Sequence, residues 1–297
     1  MQEIMKQMLN KRYIFSGYGF GESGPFMILD SADGEIKREY FDFANQKFTL
    51  SKGDERYCTG WRDILNGGSS PCPHKVALSD PKYQECMNCM KATGFNPAFY
   101  NAAREQMSPV QMQYNSLPHI VYLVYFASGK LKVGISSEKR YRKRWLSQGA
   151  RAATVLKYCA DAYEARELEA DLSKNTGAFE MMRSDMKRRL LVERFDFEDA
   201  KNEMNKFIDQ LDADVERNEI FDLSDNYLGN VTLSPDIIDV TGDDISGHMI
   251  GLIGDALIFD QQDMQFVSSI KDLISSVIYF SDEIKNYNIS PLQVTLF

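Results

Sequence analysis

Residues 119–136 read HIVYLVYFASGKLKVGIS, and this stretch decides the fold. The apolar run at 119–126, the Ser-Gly pair at 128–129 and the run LKVGIS at 131–136 form two strands joined by a short turn. A basic segment follows, with RYRKRW at 140–145, and after it a long helical pattern over 160–174 that contains ARELEADLSK. A β-hairpin followed by helices over residues 117–192 makes the core α+β.

Upstream of the hairpin, residues 58–97 are rich in Gly, Pro, Ser and Cys and hold few apolar runs. Such a segment builds little core unless something staples it. Cys58, Cys72, Cys86 and Cys89 fall within 32 residues and close with the CMNC knuckle, and His74 sits two positions after Cys72. Thiolates are soft, strongly basic donors, and a CxxC turn presents two sulfurs to one ion, so the expected occupant is a tetrahedral Zn²⁺. Four protein ligands leave no open position for water, which makes the expected zinc structural; His74 is the alternative ligand. In a reducing compartment these cysteines do not pair as disulfides. Cys159 stands alone on an apolar stretch and reads as a core residue.

Composition and period divide the chain into an N-terminal β module (1–57), a cysteine-cluster region (58–116), the hairpin and helix core (117–192), a helix with an acidic linker (193–245) and a C-terminal β/α segment (246–297). The helix of the fourth segment is expected around 196–215. The last segment echoes the first. SGYGFGESGPFMILD at 16–30 and SGHMIGLIGDALIFD at 246–260 share six of fifteen positions without a gap, which suggests two related hairpins or two halves of one β module. The acids around VTGDDISG at 240–247 lack the spacing and terminal Glu of an EF-hand and read as a solvated linker.

The formal net charge is −9, which taken as a sum disfavours a phosphate-rich partner. The distribution points the other way for one segment: residues 130–151 carry eight basic residues against one acid, Glu138, whereas residues 196–260 carry 17 acids against three bases. Lys130, Lys139, Arg140, Arg142, Lys143 and Arg151 are therefore expected to contact the backbone of DNA or RNA. The opening MQEIMKQMLNKRY places charges where a signal peptide needs an apolar run, and no apolar stretch is long enough to span a bilayer. The expectation is a cytoplasmic protein with no membrane partner.

The stretch IVYLVYFASGKLKVGIS resembles the core of GIY-YIG nucleases, in which a tyrosine on the first strand and a glycine near the end of the second face across a hairpin; here these are Tyr122 and Gly134. Lys132 stands where the second motif has its tyrosine, and Ile120 where the first has its glycine. The arginine of the family's first helix matches Arg144 beside Trp145, and the glutamate of its later helix matches Glu169 in LEADL. Over most of its length the chain also resembles an uncharacterised prokaryotic family grouped with these nucleases. That wider likeness takes in the cysteine cluster, FNPAFYNA at 95–102 and the glycines at 247–254.

The resemblance implies a nucleic-acid-processing protein, a divalent-metal-dependent phosphodiester endonuclease. Such hydrolysis needs a deprotonated water, neutralised charge on the phosphate and a steadied leaving oxygen. By this likeness Tyr122 orients or deprotonates water, Arg144 grips a phosphate oxygen, and Glu169 binds Mg²⁺ or Mn²⁺. Lys132 is a second phosphate contact or the base itself. Two other functions compete: a non-catalytic, zinc-containing nucleic-acid-binding module, and a protein-interaction scaffold whose acidic C-terminal segments cover the basic site or dock a basic partner. Whether Tyr122, Arg144 and Glu169 meet in one place separates a catalytic arrangement from a scattered one.

Overall fold

The computed structural model describes residues 2–9, 11–95, 107–228 and 233–287. After Phe95, the FNPAFYNA segment lies outside the described residues. Along the chain run α1 (Gln2–Met8), β1 (Arg12–Gly21), β2 (Gly24–Ser31), β3 (Arg38–Asp42), β4 (Lys47–Arg56), β5 (Trp61–Arg62) and β6 (Ser69–Ser70). Next come α2 (Met87–Thr93), α3 (Pro109–Asn115), β7 (His119–Ala127), β8 (Lys130–Ser137), α4 (Tyr141–Ser147), β9 (Ala152–Cys159), α5 (Ala162–Thr176), α6 (Ser184–Arg189) and α7 (Phe197–Asp209). The chain continues through β10 (Phe221–Asp222), α8 (Asp225–Leu228), β11 (Ile238–Asp239), β12 (Ile245–Ile253), β13 (Ala256–Gln261), β14 (Met264–Ser269) and β15 (Ser276–Ser281).

These elements fall into two compact units. The first comprises Met1–Thr59, Pro71–Glu85 and Tyr227–Phe297, and the second Gly60–Ser70 and Cys86–Asn226. In the first unit nine strands form one sheet in the order β11-β14-β13-β12-β4-β15-β1-β2-β3. β12 pairs with β4, and β15 lies between β4 and β1, so strands from both ends of the chain share the sheet. Phe41, Phe48 and Phe280 meet edge-on or tilted at 5.3–5.9 Å, the geometry that ring quadrupoles favour. Cross-strand neighbours Asp30 and Arg38 form a buried bidentate pair, both contacts at 2.7 Å, and Ser16 Oγ donates to the same carboxylate at 2.6 Å.

The two glycine-rich hairpins belong to this sheet, but their turns are out of phase. β1 and β2 pair Gly21 with Gly24, whereas β12 and β13 pair Ile253 with Ala256. Under the ungapped match the second turn comes two residues later than the first. The six shared residues thus do not occupy equivalent hairpin positions.

The second unit is built on a four-stranded antiparallel sheet in the order β10-β9-β7-β8. Val121, Leu123 and Tyr125 of β7 and Leu131 and Val133 of β8 share one core with Ala165 and Leu172 of α5 and Ala200, Met204 and Ile208 of α7. Each large side chain fully buried this way contributes about 1.5–3 kcal/mol. Because strand residues alternate between faces, Tyr122, Lys132 and Gly134 are turned to the opposite face. Aspartates begin both helices: Asp161 Oδ1 accepts from the N–H groups of Tyr163 and Glu164, and Asp196 Oδ1 from those of Glu198 and Asp199. Gly177, at φ 72°, ends α5 and turns the chain back so that Phe179 bonds to the free edge of β8 on both sides of Lys132.

Candidate functional site

Tyr122 and Gly134 face each other across the β7–β8 ladder. The tyrosine ring lies directly over the glycine: a Cβ at position 134 would stand 2.5 Å from the Tyr122 hydroxyl and 2.6 Å from Cζ. Glycine is required by that close approach rather than by any unusual backbone angle. Trp145 closes the ring from another side at 6.2 Å and is itself fully buried, packed also on Tyr141 and Phe221. The buried tryptophan fixes α4 on the sheet and sets the position of its neighbour, Arg144. Arg144 and Gln148 both hydrogen-bond the Tyr122 hydroxyl, the Gln148 amide at 3.4 Å. Burial raises the pKa of this tyrosine, and Arg144 opposes the rise.

Lys132 lies along the same face, 8 % exposed, with Nζ donating to the Val133 carbonyl at 3.1 Å. Burial lowers its pKa to about 8; Glu169 and Glu180 act against that shift, and Arg144 adds to it. Glu169 reaches the same place from α5. Burial raises its pKa and Glu180 adds to the rise, while Lys132, Arg166 and Arg144 oppose it. The four side chains singled out in the sequence, Tyr122, Lys132, Arg144 and Glu169, are thus brought within electrostatic reach of one another from β7, β8, α4 and α5. Sequence reasoning missed two further members. Gln148 follows the basic segment but carries no charge to mark it. Glu180 arrives only because Gly177 reverses the chain beside β8, a tertiary event with no local spacing to betray it.

The basic residues do not act as one surface. Lys139, Arg140 and Lys143 line a single cavity. Arg142 stacks over Phe221 at 4.5 Å, and Lys130 lies 5.6 Å from the Phe179 ring. Arg151, expected to contact phosphate, is instead 6 % exposed. Its guanidinium donates to the carbonyls of Glu193 at 2.6 Å, Leu191 at 2.8 Å and Leu190 at 3.3 Å. Its position before an apolar strand explains the correction: the side chain points into the fold and donates to backbone carbonyls there, of which the Leu190 carbonyl also accepts from the Glu193 N–H.

The Sγ atoms of Cys58, Cys72, Cys86 and Cys89 all lie within 4.8 Å of one another. Four sulfurs at about 2.3 Å from one zinc stand about 3.8 Å apart, so the group fits a tetrahedral ion. Three of the four cysteines are buried, and Cys86 begins α2, whose first turn carries Cys89. These four cysteines could hold a metal such as zinc. His74 is exposed on a turn and outside the group, which corrects its standing as an alternative ligand. Cys159 is buried on β9, and burial pushes its thiol up to about 11.

Fold and site together define an α+β protein with a four-cysteine group that could hold a metal and a charged cluster on a small antiparallel sheet. The chain belongs to the family described as a protein of unknown function, DUF2797, which matches residues 73–277. Curated proteins and solved structures gave no match. Among the described residues, no helix is long and apolar enough to cross a membrane.

Proposed function

We propose that the second unit is a GIY-YIG-like, divalent-metal-dependent phosphodiester endonuclease acting on DNA or RNA, and that the four cysteines hold a structural Zn²⁺. The observation that carries the reading is that Tyr122, seated over Gly134, and Lys132, Arg144 and Glu169 form one electrostatically linked cluster drawn from four separate elements. A bound Mg²⁺ or Mn²⁺ would offset charge on the phosphate and steady the leaving oxygen. Glu169 would hold it through a carboxylate oxygen. Arg144 presents a fork of donors to a phosphate oxygen. The Tyr122 hydroxyl, pinned between Gly134 and two donors, orients the attacking water, and Lys132 supplies a second phosphate contact or accepts the water's proton.

Glu169→Gln keeps the size of the side chain and removes the charge that a hard cation requires. Mg²⁺- or Mn²⁺-dependent cleavage should fall by about 100-fold or more while binding survives. Glu167→Gln is the control, because Glu167 is exposed and about 200° away around α5. Equal cleavage by both variants would remove Glu169 from the site. The presence of lysine at the second tyrosine position favours one other reading, a non-catalytic binding module, and wild-type protein that binds nucleic acid but cleaves none with either metal would establish it instead.

A further inference from the structure

Within the second unit, a cavity of about 240 Å³ opens between the loop joining β5 to β6 and the start of α4. Its walls differ in chemistry. Lys139, Arg140 and Lys143 lie in the lining, with Glu138 as its single acid. Ile64, Leu117, Pro118 and Tyr114 line it as well. The Asn66-Gly67-Gly68 turn also lines it, and its glycines bring backbone without side chains to the cavity. Asp63 fixes that turn: its carboxylate accepts from the N–H groups of Leu65 and Asn66 at 3.0 Å, and its backbone bonds to Gly67 and Gly68.

The three cations are exposed. Elsewhere in the molecule Arg38, Lys157 and Lys285 each sit on a carboxylate, whereas among the described residues no salt bridge holds Lys139, Arg140 or Lys143. Three cations gathered in one lining against a single acid, Glu138, leave an excess of positive charge that an anion relieves. A site for inorganic phosphate alone would need no apolar wall. Pockets for drug-sized ligands run to roughly 300–1,000 Å³, so this smaller, open space holds at most one nucleotide, part of it projecting into solvent, and no duplex.

We infer that this cavity binds a single nucleoside phosphate, the phosphate among Lys139, Arg140 and Lys143 and the base against Ile64, Leu117, Pro118 and Tyr114. The choice of a nucleotide rests on the reading of this unit as one that acts on nucleic acid. The cavity is lined by none of the four proposed catalytic residues, so it would hold a nucleotide flanking the reacting phosphate, at a strand end or free.

Calorimetry on the zinc-loaded full chain, without added Mg²⁺ or Mn²⁺, tests this with AMP, adenosine, inorganic phosphate, and a deoxyadenosine hexamer bearing either a 5′-phosphate or a 5′-hydroxyl. AMP should bind at one site per chain, at least tenfold more tightly than adenosine or inorganic phosphate. Lys139→Ala with Lys143→Ala should weaken AMP at least tenfold, the paired Lys→Arg variant should retain it, and Glu169→Gln should leave it within about twofold. A phosphorylated hexamer that binds more tightly than both AMP and the 5′-hydroxyl hexamer identifies a strand end as the occupant; equal affinity of AMP and hexamer identifies a free nucleotide. No binding of AMP or of the phosphorylated hexamer overturns the inference, as does AMP binding that survives the double alanine change but is lost in Glu169→Gln. AMP binding at the cavity with no cleavage of any nucleic acid leaves the subsite standing and removes only the nuclease reading.

Discussion

At the scale of single residues, the positions that the sequence marked most clearly are those where one chemistry admits no substitute. Gly134 is the plainest, since a methyl group there would overlap the Tyr122 hydroxyl and ring at 2.5–2.9 Å. Gly134→Ala should destabilise the protein by about 1–3 kcal/mol, the usual cost of overfilling a packed site, and should swing the tyrosine away from Arg144 and Gln148. Urea unfolding monitored through the fluorescence of neighbouring Trp145 measures both effects; unchanged stability and emission would mean that the ring has room the packing does not provide. His119 carries a prediction of another kind. Burial lowers its pKa, with Arg166 acting in the same direction and the Leu117 carbonyl and Asp161 opposing. At neutral pH its Nδ1–H donates to the Leu117 carbonyl, 2.8 Å away. Because the folded-state pKa is the lower one, the unfolded chain takes up the proton first: the contribution is present above the ordinary histidine value of about 6.5 and is lost as pH falls below it. The melting temperature of His119→Gln should therefore decline less between pH 7 and pH 5 than that of wild type, and parallel declines would show that His119 does not couple to folding.

At the scale of elements, local rules located the helices and left the sheets incomplete. The helical patterns over 160–174 and 196–215 became α5, Ala162–Thr176, and α7, Phe197–Asp209, because aspartate caps and apolar spacing lie within the segments themselves. The second ended earlier than its pattern suggested: beyond Gln210 the chain runs back along the sheet, with the Glu216 N–H on the Leu156 carbonyl and Phe221 pairing with Ala153. β9 went unread because its first five residues are all buried, so it shows none of the alternation that reveals a half-exposed strand. The nine-stranded sheet was legible as strands and not as an order, since β4 takes its neighbours from residues about 200 positions further along the chain. Arg151 joins these themes, for it tethers the start of β9 to the short helical turn at Leu190–Val192. Arg151→Ala takes its donor from the Leu191 and Glu193 carbonyl oxygens near the core, the Leu190 carbonyl keeping the Glu193 N–H, and should cost on the order of 3 kcal/mol, with Arg151→Lys recovering only part because an ammonium cannot span the fork. Denaturant midpoints of the two variants measure this; a loss of nucleic-acid affinity at unchanged stability would return Arg151 to the binding surface.

At the scale of the whole molecule, the sequence disclosed the four-cysteine group more completely than the charged cluster. Four cysteines in 32 residues announce themselves by type and spacing, whereas the cluster also needed Glu180 and Gln148, which only the tertiary path supplies. The same residue types explain why the group matters to stability. Between Cys58 and Cys89 the strands β5 and β6 are two residues each, and the only helix, α2, has seven, so ladders and apolar packing contribute little there. Thiols held within 4.8 Å and left without a cation would have to stay protonated or repel one another, while a bound cation turns that proximity into folding free energy. Freshly prepared, reduced protein should carry about one zinc per chain by elemental analysis. Cys86→Ser removes a single thiolate at the least buried of the four positions and should lower the melting temperature by on the order of 10 °C, at about 2–4 °C per kcal/mol for a protein of this size. Stripping wild type with a strong chelator should produce the same shift, and added zinc should reverse it in wild type but not in the variant. A Cys86→Ser protein that melts like wild type, with or without chelator, would show that the four sulfurs gather for packing alone.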